Sequence, residues 1–131
     1  MYDSIIIGSG PAGISASLYM IRAGLKILII SKNETALNKA EHIENYYGFE
    51  NGISGKELND IGIKQAQNLG VEILEKEVIS IKYADEGYEV VVANQGMDEK
   101  YLADGKTEEI LSNQKLLEEN GLELPLGMQR R

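Results

Sequence analysis

A glycine triplet, Gly8-Ser9-Gly10-Pro11-Ala12-Gly13, sits between the apolar run Ile5-Ile6-Ile7 and a helix-forming segment, and no other feature constrains the fold as tightly. The stretch from Asp3 to Ile7 is rich in β-branched residues and stops at Gly8, which suits a strand buried on both faces of a parallel sheet. Pro11 fits a first helical turn, where its missing N–H costs nothing, and Ala12 to Ala23 runs to Gly24 as a C-terminal stop. Lys26-Ile27-Leu28-Ile29-Ile30 reads as a second buried strand. Strand, helix and strand in so short a span form a βαβ unit, with a right-handed crossover expected.

The spacing gives each glycine a task. Gly8 permits the tight turn, Gly10 lets a pyrophosphate approach the backbone, and Gly13 lets the helix pack on the sheet. The helix N-terminus adds N–H groups and a partial positive charge facing the phosphates. Gly8, Ser9, Gly10, Pro11, Ala12 and Gly13 are therefore the expected cradle of a dinucleotide, set against the plainer reading of a glycine-rich turn. Such motifs usually have an acidic residue at the end of the second strand to hold the ribose. Here Ser31 and Lys32 stand in that place, with Glu34 the nearest acid. A serine replaces one hydrogen bond but not a bidentate carboxylate contact, a loss of about 1–3 kcal/mol. Lys32 suits either a 2′-phosphate, as in NADP sites, or a solvated loop.

Composition bounds the rest. The 131 residues allow one ordinary domain, and 43% hydrophobic with 26% charged residues suits a folded, soluble chain. A net charge of -8, with no Lys/Arg cluster beyond the final Arg130-Arg131, excludes a nucleic-acid binder. The absence of cysteine excludes disulfides, thiolate metal sites and any Cys-x-x-Cys redox chemistry within these residues. The apolar runs are far shorter than the ~20 residues of a membrane helix, and the N-terminus lacks a signal-peptide pattern, so a cytoplasmic location is expected.

Beyond the βαβ unit, residues 31–53 read as a polar, irregular loop. Ser54 caps a helix, with Glu57 completing a capping box, and Leu58, Ile61, Gln65 and Leu69 mark its expected face. Val71–Leu74, Val78–Tyr83 and Tyr88–Ala93 read as strands, with Asp85-Glu86-Gly87 as a hairpin turn between the last two. After the turn Asn94-Gln95-Gly96, Lys100–Ala103 is a short strand and Thr107–Asn120 an acidic helix stopped by Gly121. Residues from about 95 read as a separate unit, although Ile110, Leu111, Leu116 and Leu117 also suit packing on the main core.

The order of motifs resembles a family. Tyr2 to Gly13 resembles the start of the FAD domain of thioredoxin reductases and related pyridine nucleotide-disulfide oxidoreductases. More specific are Ile43-Glu44-Asn45-Tyr46-Tyr47-Gly48-Phe49, then Gly52-Ile53-Ser54-Gly55-Lys56-Glu57-Leu58 and Gln65-Ala66, which are similar to the family's Glu-Asn-Phe-Pro-Gly, Gly-x-Glu-Leu and Gln-Ala segments. The resemblance covers about residues 1–93. It implies FAD with its pyrophosphate on the first helix, Asn45 at the isoalloxazine end and the backbone around Val78 at the adenine. Tyr46 and Tyr47 replace the family's Phe-Pro and suit either the site or the edge of the core. The family's Gly-Gly-Gln stretch is absent from Thr35 to Ala40, and its later Ala-Thr-Gly strand, second nucleotide domain, Cys pair and closing FAD motif do not occur.

The tail, about residues 96–126, resembles the C-terminal end of the ATPase subunit of energy-coupling-factor ABC transporters, although no G-x-x-x-x-G-K-[ST] occurs; this would make the chain a fusion joined near 88–96. His42, the only histidine, reads as a solvated loop residue or one near the nucleotide. Glu108, Glu109, Glu118 and Glu119 read as solvated helix faces rather than a metal site.

The expectation is an α/β, Rossmann-like three-layer FAD/NAD(P)-binding domain over 1–95, truncated, with a short helical appendage over 96–131. Gly8, Ser9, Gly10, Pro11, Ala12 and Gly13 hold pyrophosphate, Ser31, Lys32 and Val78 meet the adenosine, and Asn45 meets the flavin. No catalytic or metal-ligating residue is assigned. The cofactor is FAD, with NAD(P) or none as alternatives. The chain is the FAD-binding portion of a thioredoxin reductase-like oxidoreductase, not competent for turnover alone. The alternatives are a non-catalytic adenine-nucleotide module or a folded fusion fragment, and self-association in place of the missing domain.

Overall fold

The computed structural model describes residues 1–32 and 34–104. The elements run β1 (Ser4–Ile7), α1 (Pro11–Arg22), β2 (Ile27–Ser31), α2 (Gly55–Asn68), β3 (Glu72–Glu75), β4 (Val78–Ala84), β5 (Gly87–Val92) and β6 (Glu99–Asp104). β1, β2 and β3 form a parallel sheet in that order, with Ile6 opposite Ile29 and Ile29 opposite Ile73. β4, β5 and β6 form an antiparallel meander.

The alternation of side chains along β2 builds three layers. Ile27 and Ile29 face the helices and pack with Ile14, Ala66 and Val71. Leu28 and Ile30 face the other way and pack with Val90 and Val92 of the meander. β2 is buried at every position, as a central parallel strand covered on both faces must be. Each of its four large apolar side chains contributes roughly 1.5–3 kcal/mol through burial. The three-layer α/β fold read from the sequence is thus the observed one.

Local signals act as their chemistry dictates. Gly24 takes φ +81 just beyond α1. Ser54 caps α2: its Oγ accepts from the Glu57 N–H at 3.2 Å, while the Glu57 carboxylate accepts from the Ser54 N–H at 3.3 Å. Gly87, at φ +138, closes the β4–β5 hairpin.

The buried face of α2 differs from expectation. Ile61 and Leu69 are exposed, and so is Gln65, while Gly55, Asn59 and Ala66 are buried. The cause is close approach rather than bulk. A Cβ on Gly55 would lie 1.8 Å from the Leu37 carbonyl oxygen, and one on Gly62 3.3 Å from Ile14 Cγ2. Small residues let α2 seat against α1 and the 31–53 stretch, leaving Ile61 and Leu69 outside while Ile63 packs against the Ile14 cluster. That stretch is also more ordered than expected, with a 3-10 turn over Ala36–Lys39 and a bridge between Ile43 and Ile53.

The expected boundary near residue 95 falls inside the meander. β6 pairs with β5 from Gly87–Asp104 to Val92–Glu99, and Tyr2 bridges to Ala103. The expected helix over 107–120 and its four glutamates lie outside the described residues. Among the described residues, no helix is long and apolar enough to cross a membrane.

Candidate functional site

The C-terminal ends of β1 and β2 meet at the glycine turn. Gly8 adopts φ +107 and donates its N–H to the Ile30 carbonyl at 2.8 Å, so the turn is pinned to β2 as it leaves β1. Ser9 is buried, and its hydroxyl donates to the Ser31 Oγ at 2.8 Å. Gly10 is the N-cap of α1 in extended geometry, Pro11 follows at the first helical position, and the Gly10 carbonyl accepts from the Ile14 N–H at 3.0 Å.

Two glycines are required here for different reasons. A Cβ on Gly13 would lie 2.5 Å from the Gly8 carbonyl oxygen, so helix and strand ends touch at backbone distance. A Cβ on Gly10 would meet nothing within 4 Å, so its bare backbone faces open space. No side chain caps α1 and its first turn contains no acid. Ala12 and Gly13 thus present first-turn N–H groups, with the helix dipole behind them, toward the approach that Gly10 leaves open. This combination suits an anionic group.

The residues expected at the adenosine lie together at the ends of β2 and β3. Ser31, where an acid was expected, is buried within β2 and tied to Ser9. Its carbonyl accepts from the Lys76 N–H at 3.0 Å. Lys32 is ion-paired with Glu77 at 2.5 Å, both side chains more than half exposed. Lys32, Glu34, Glu75, Lys76 and Glu77 line a shallow hollow of about 450 Å³. Val78 follows Glu77 and packs its side chain on the Leu28–Ile30 cluster.

Sequence reasoning missed Glu77 and Lys76 as members of this corner. The available signal was the parallel order itself, since residues just past β3 must lie beside the end of β2 once the two strands pair. Lys76 is held further by its ammonium, which donates to Asn94 Oδ1 at 2.9 Å.

Asn45 stands apart from both. It is exposed in the 44–50 loop, whose residues line a separate shallow hollow of about 610 Å³. Tyr46 and Tyr47 do not cover the core edge: Tyr47 is fully exposed, and Tyr46 is 44% exposed with its ring tilted against that of Phe49, centroids 6.1 Å apart. His42 lies 3.6 Å from Glu44 on the surface. Among the described residues no cluster of acids and histidine is arranged to hold a metal ion.

The profile of the pyridine nucleotide-disulphide oxidoreductase family matches residues 2–119. The chain belongs to that family. Over 85 residues, 63% of this chain and 26% of the relative, it is 42% identical to a thioredoxin reductase of Streptomyces coelicolor. Over 82 residues, 61% of this chain and 25% of the relative, it is 44% identical to a thioredoxin reductase of Aquifex aeolicus. The crystal structure of Lactococcus lactis thioredoxin reductase superposes with a TM-score of 0.71 at 30% identity, covering 79% of this chain and 33% of that one. This family member therefore spans about a quarter to a third of the length of the relatives it matches. Its glycine turn and three-layer core are the oxidoreductase family's dinucleotide-binding fold.

Proposed function

We propose that this chain binds FAD through the adenosine and pyrophosphate end, as the FAD-binding portion of a thioredoxin reductase-like flavoprotein. The observation that carries the reading is the α1 N-terminus, uncapped by any side chain and approached over a Gly10 whose Cβ position is open. Ala12 and Gly13 would donate N–H groups to the pyrophosphate, while the Ser9–Ser31 hydrogen bond holds the turn in place. Lys32, Glu77 and the backbone at Val78 would border the adenosine. Asn45 would meet the isoalloxazine end, a role taken from the family resemblance.

When bound, the flavin supplies electron transfer between a reduced nicotinamide and a disulfide. These 131 residues contain no cysteine, so the part proposed for them is to bind and orient the cofactor. A cytoplasmic setting accords with this role.

FAD titration tests the reading, followed by flavin absorbance near about 450 nm. The unaltered chain is expected to take up FAD one to one. Gly10→Ala keeps an allowed backbone, φ -73 and ψ 179, and costs the fold at most about 1 kcal/mol at the N-cap. It nevertheless fills the phosphate approach, so affinity should fall by about ten-fold or more. A chain that takes up no FAD, or a Gly10→Ala variant that binds it equally well, overturns the proposal.

The absence of a carboxylate at the end of β2 favours one second reading, a module for adenine nucleotides without flavin. ADP that binds as tightly as FAD would select it. Self-association of these residues predicts a dimer by size-exclusion chromatography, and monomer alone would remove that idea.

A further inference from the structure

The three buried residues of α2 are Gly55, Asn59 and Ala66, and only Asn59 brings a polar side chain into the packing. It is 5% exposed, yet its amide makes no hydrogen bond among the described residues. Among those residues no fully enclosed side-chain nitrogen or oxygen lacks a partner, so the little surface that Asn59 keeps belongs to the amide itself. Packing an amide into a seam without a partner costs stability that an apolar side chain of similar size would not. A polar group held so, with its tip still reachable, is placed to meet a ligand.

Topology brings that amide to the glycine turn. α1 precedes β2 and α2 precedes β3, and the three strands are parallel, so both helices run back against the strands and start at the rim where the strands end. Gly55, Asn59 and Gly62 fall at i, i+4 and i+7 on one face of α2. At Gly62 that face meets Ile14, in the second turn of α1, and at Gly55 it meets the Leu37 backbone of the 3-10 turn. Asn59 is about 4.5 Å closer to the rim than Gly62, which sets it level with Gly10 and Pro11. Its Cα–Cβ bond tilts toward the N-terminus of α2, and so toward the same rim. We propose that Asn59 is a binding residue of the nucleotide site, its Nδ2 donating to an oxygen of a diphosphate laid across the α1 N-terminus. The uncapped first turn of α1 supplies partial positive charge, and the amide adds one directed donor from the neighbouring helix. An uncharged donor suits the seam, since a buried ammonium costs far more to desolvate.

The inference rests on the nucleotide reading of the glycine turn, and titrating the full chain with ADP and with FAD separates the two. Asn59→Leu keeps the volume and removes the unpaired amide, so Tm should hold or rise by a few degrees. Affinity for both ligands should nevertheless fall by about five- to ten-fold, and equally, because both carry the diphosphate. Asn59→Ala, which withdraws the amide without asking the seam to accept a branched side chain, should show the same loss. Asn59→Asp sets a carboxylate against the diphosphate and should weaken both ligands further, with the excess loss shrinking as salt is raised. Unchanged affinity in the Leu and Ala variants overturns the inference and leaves the glycine-turn reading standing. A loss confined to FAD places the amide at the flavin end and overturns the diphosphate contact. Earlier melting of both Asn59→Leu and Asn59→Ala shows that the amide serves the fold, and also overturns it. If the unaltered chain takes up neither ligand, both readings fall together.

Discussion

β2 of the parallel sheet is buried at all five positions, whereas β4 of the meander is exposed at five of its seven. Both strands are rich in branched apolar residues, so composition does not explain the contrast. Position does: β2 has layers on both faces, and β4 is an edge strand of a covering sheet. The chemistry follows the same division. The glycine turn, Ser31 and the Lys32–Glu77 corner all gather where parallel strands end, because a parallel sheet aligns its C-terminal ends on one rim. The meander contributes cover, with Val78 at its start packed on the Leu28–Ile30 cluster.

The largest effect expected from this contrast is in stability. Ile29→Ala removes a side chain with no exposed surface from the middle of β2 and should cost about 2–5 kcal/mol by chemical denaturation. Leu102→Ala, on β6 and 43% exposed, should stay within about 0.5 kcal/mol. Equal losses would mean that the two sheets share the load, and the contrast would fall.

Within the parallel region, Gly13→Ala ranks next. Its Cβ would sit 2.5 Å from the Gly8 carbonyl, and backbone there has little room to yield, so a cost of about 1–3 kcal/mol is expected. Gly10→Ala serves as its partner, impairing binding with little change in stability. Should Gly13→Ala melt like the unaltered chain, the close helix–strand approach is not required.

Much of this was legible in the sequence because its causes are local. The βαβ unit follows from β-branched runs on either side of a glycine turn, and the Ser54–Glu57 box needs only four residues to form. What stayed hidden depends on tertiary approach. Apolar periodicity marked Ile61 and Leu69 for burial, yet α2 packs through Gly55, Asn59 and Ala66, since Leu37 backbone lies against Gly55. Lys32 was read from its place after β2, but its partner Glu77 comes from beyond β3 and becomes a neighbour only through strand pairing. The turn at Asn94–Gly96 suggested a boundary, and the register of β6 on β5 is a long-range fact that turn chemistry does not contain.

Tyr2 joins the two regions and gives a smaller effect with a definite pH signature. Its hydroxyl donates to Glu72 Oε2 on β3, its N–H donates to the Leu102 carbonyl on β6, and its ring lies 6.5 Å from that of Tyr101. The hydrogen bond to Glu72, with burial and the carboxylate's charge in support, pushes the phenol up to about 12 from its ordinary value of 10.0. A raised phenol favours the neutral form in the folded state. Its contribution is therefore complete below pH 10 and lost as pH rises from 10 through about 12. Tyr2→Phe should flatten the alkaline fall in stability over that window. An identical alkaline profile in the variant would show that this tie between the sheets carries no weight.

The smallest effect concerns Lys32, and it separates stability from specificity. Its pair with Glu77 is more than half exposed on both sides, so water and salt screen it, and Lys32→Ala should change stability by less than about 1 kcal/mol. The pair nevertheless occupies the ammonium that a 2′-phosphate would need. Glu77→Gln removes the competing carboxylate while keeping the shape of the corner, and it leaves Glu34 and Glu75 in place. The variant should therefore gain affinity for a 2′-phosphorylated adenosine ligand over FAD by up to roughly five-fold, the worth of about 1 kcal/mol. Lys32→Ala should abolish that gain. If Glu77→Gln leaves the preference unchanged, the corner does not read the ribose through Lys32, and phosphate recognition rests on the glycine turn alone.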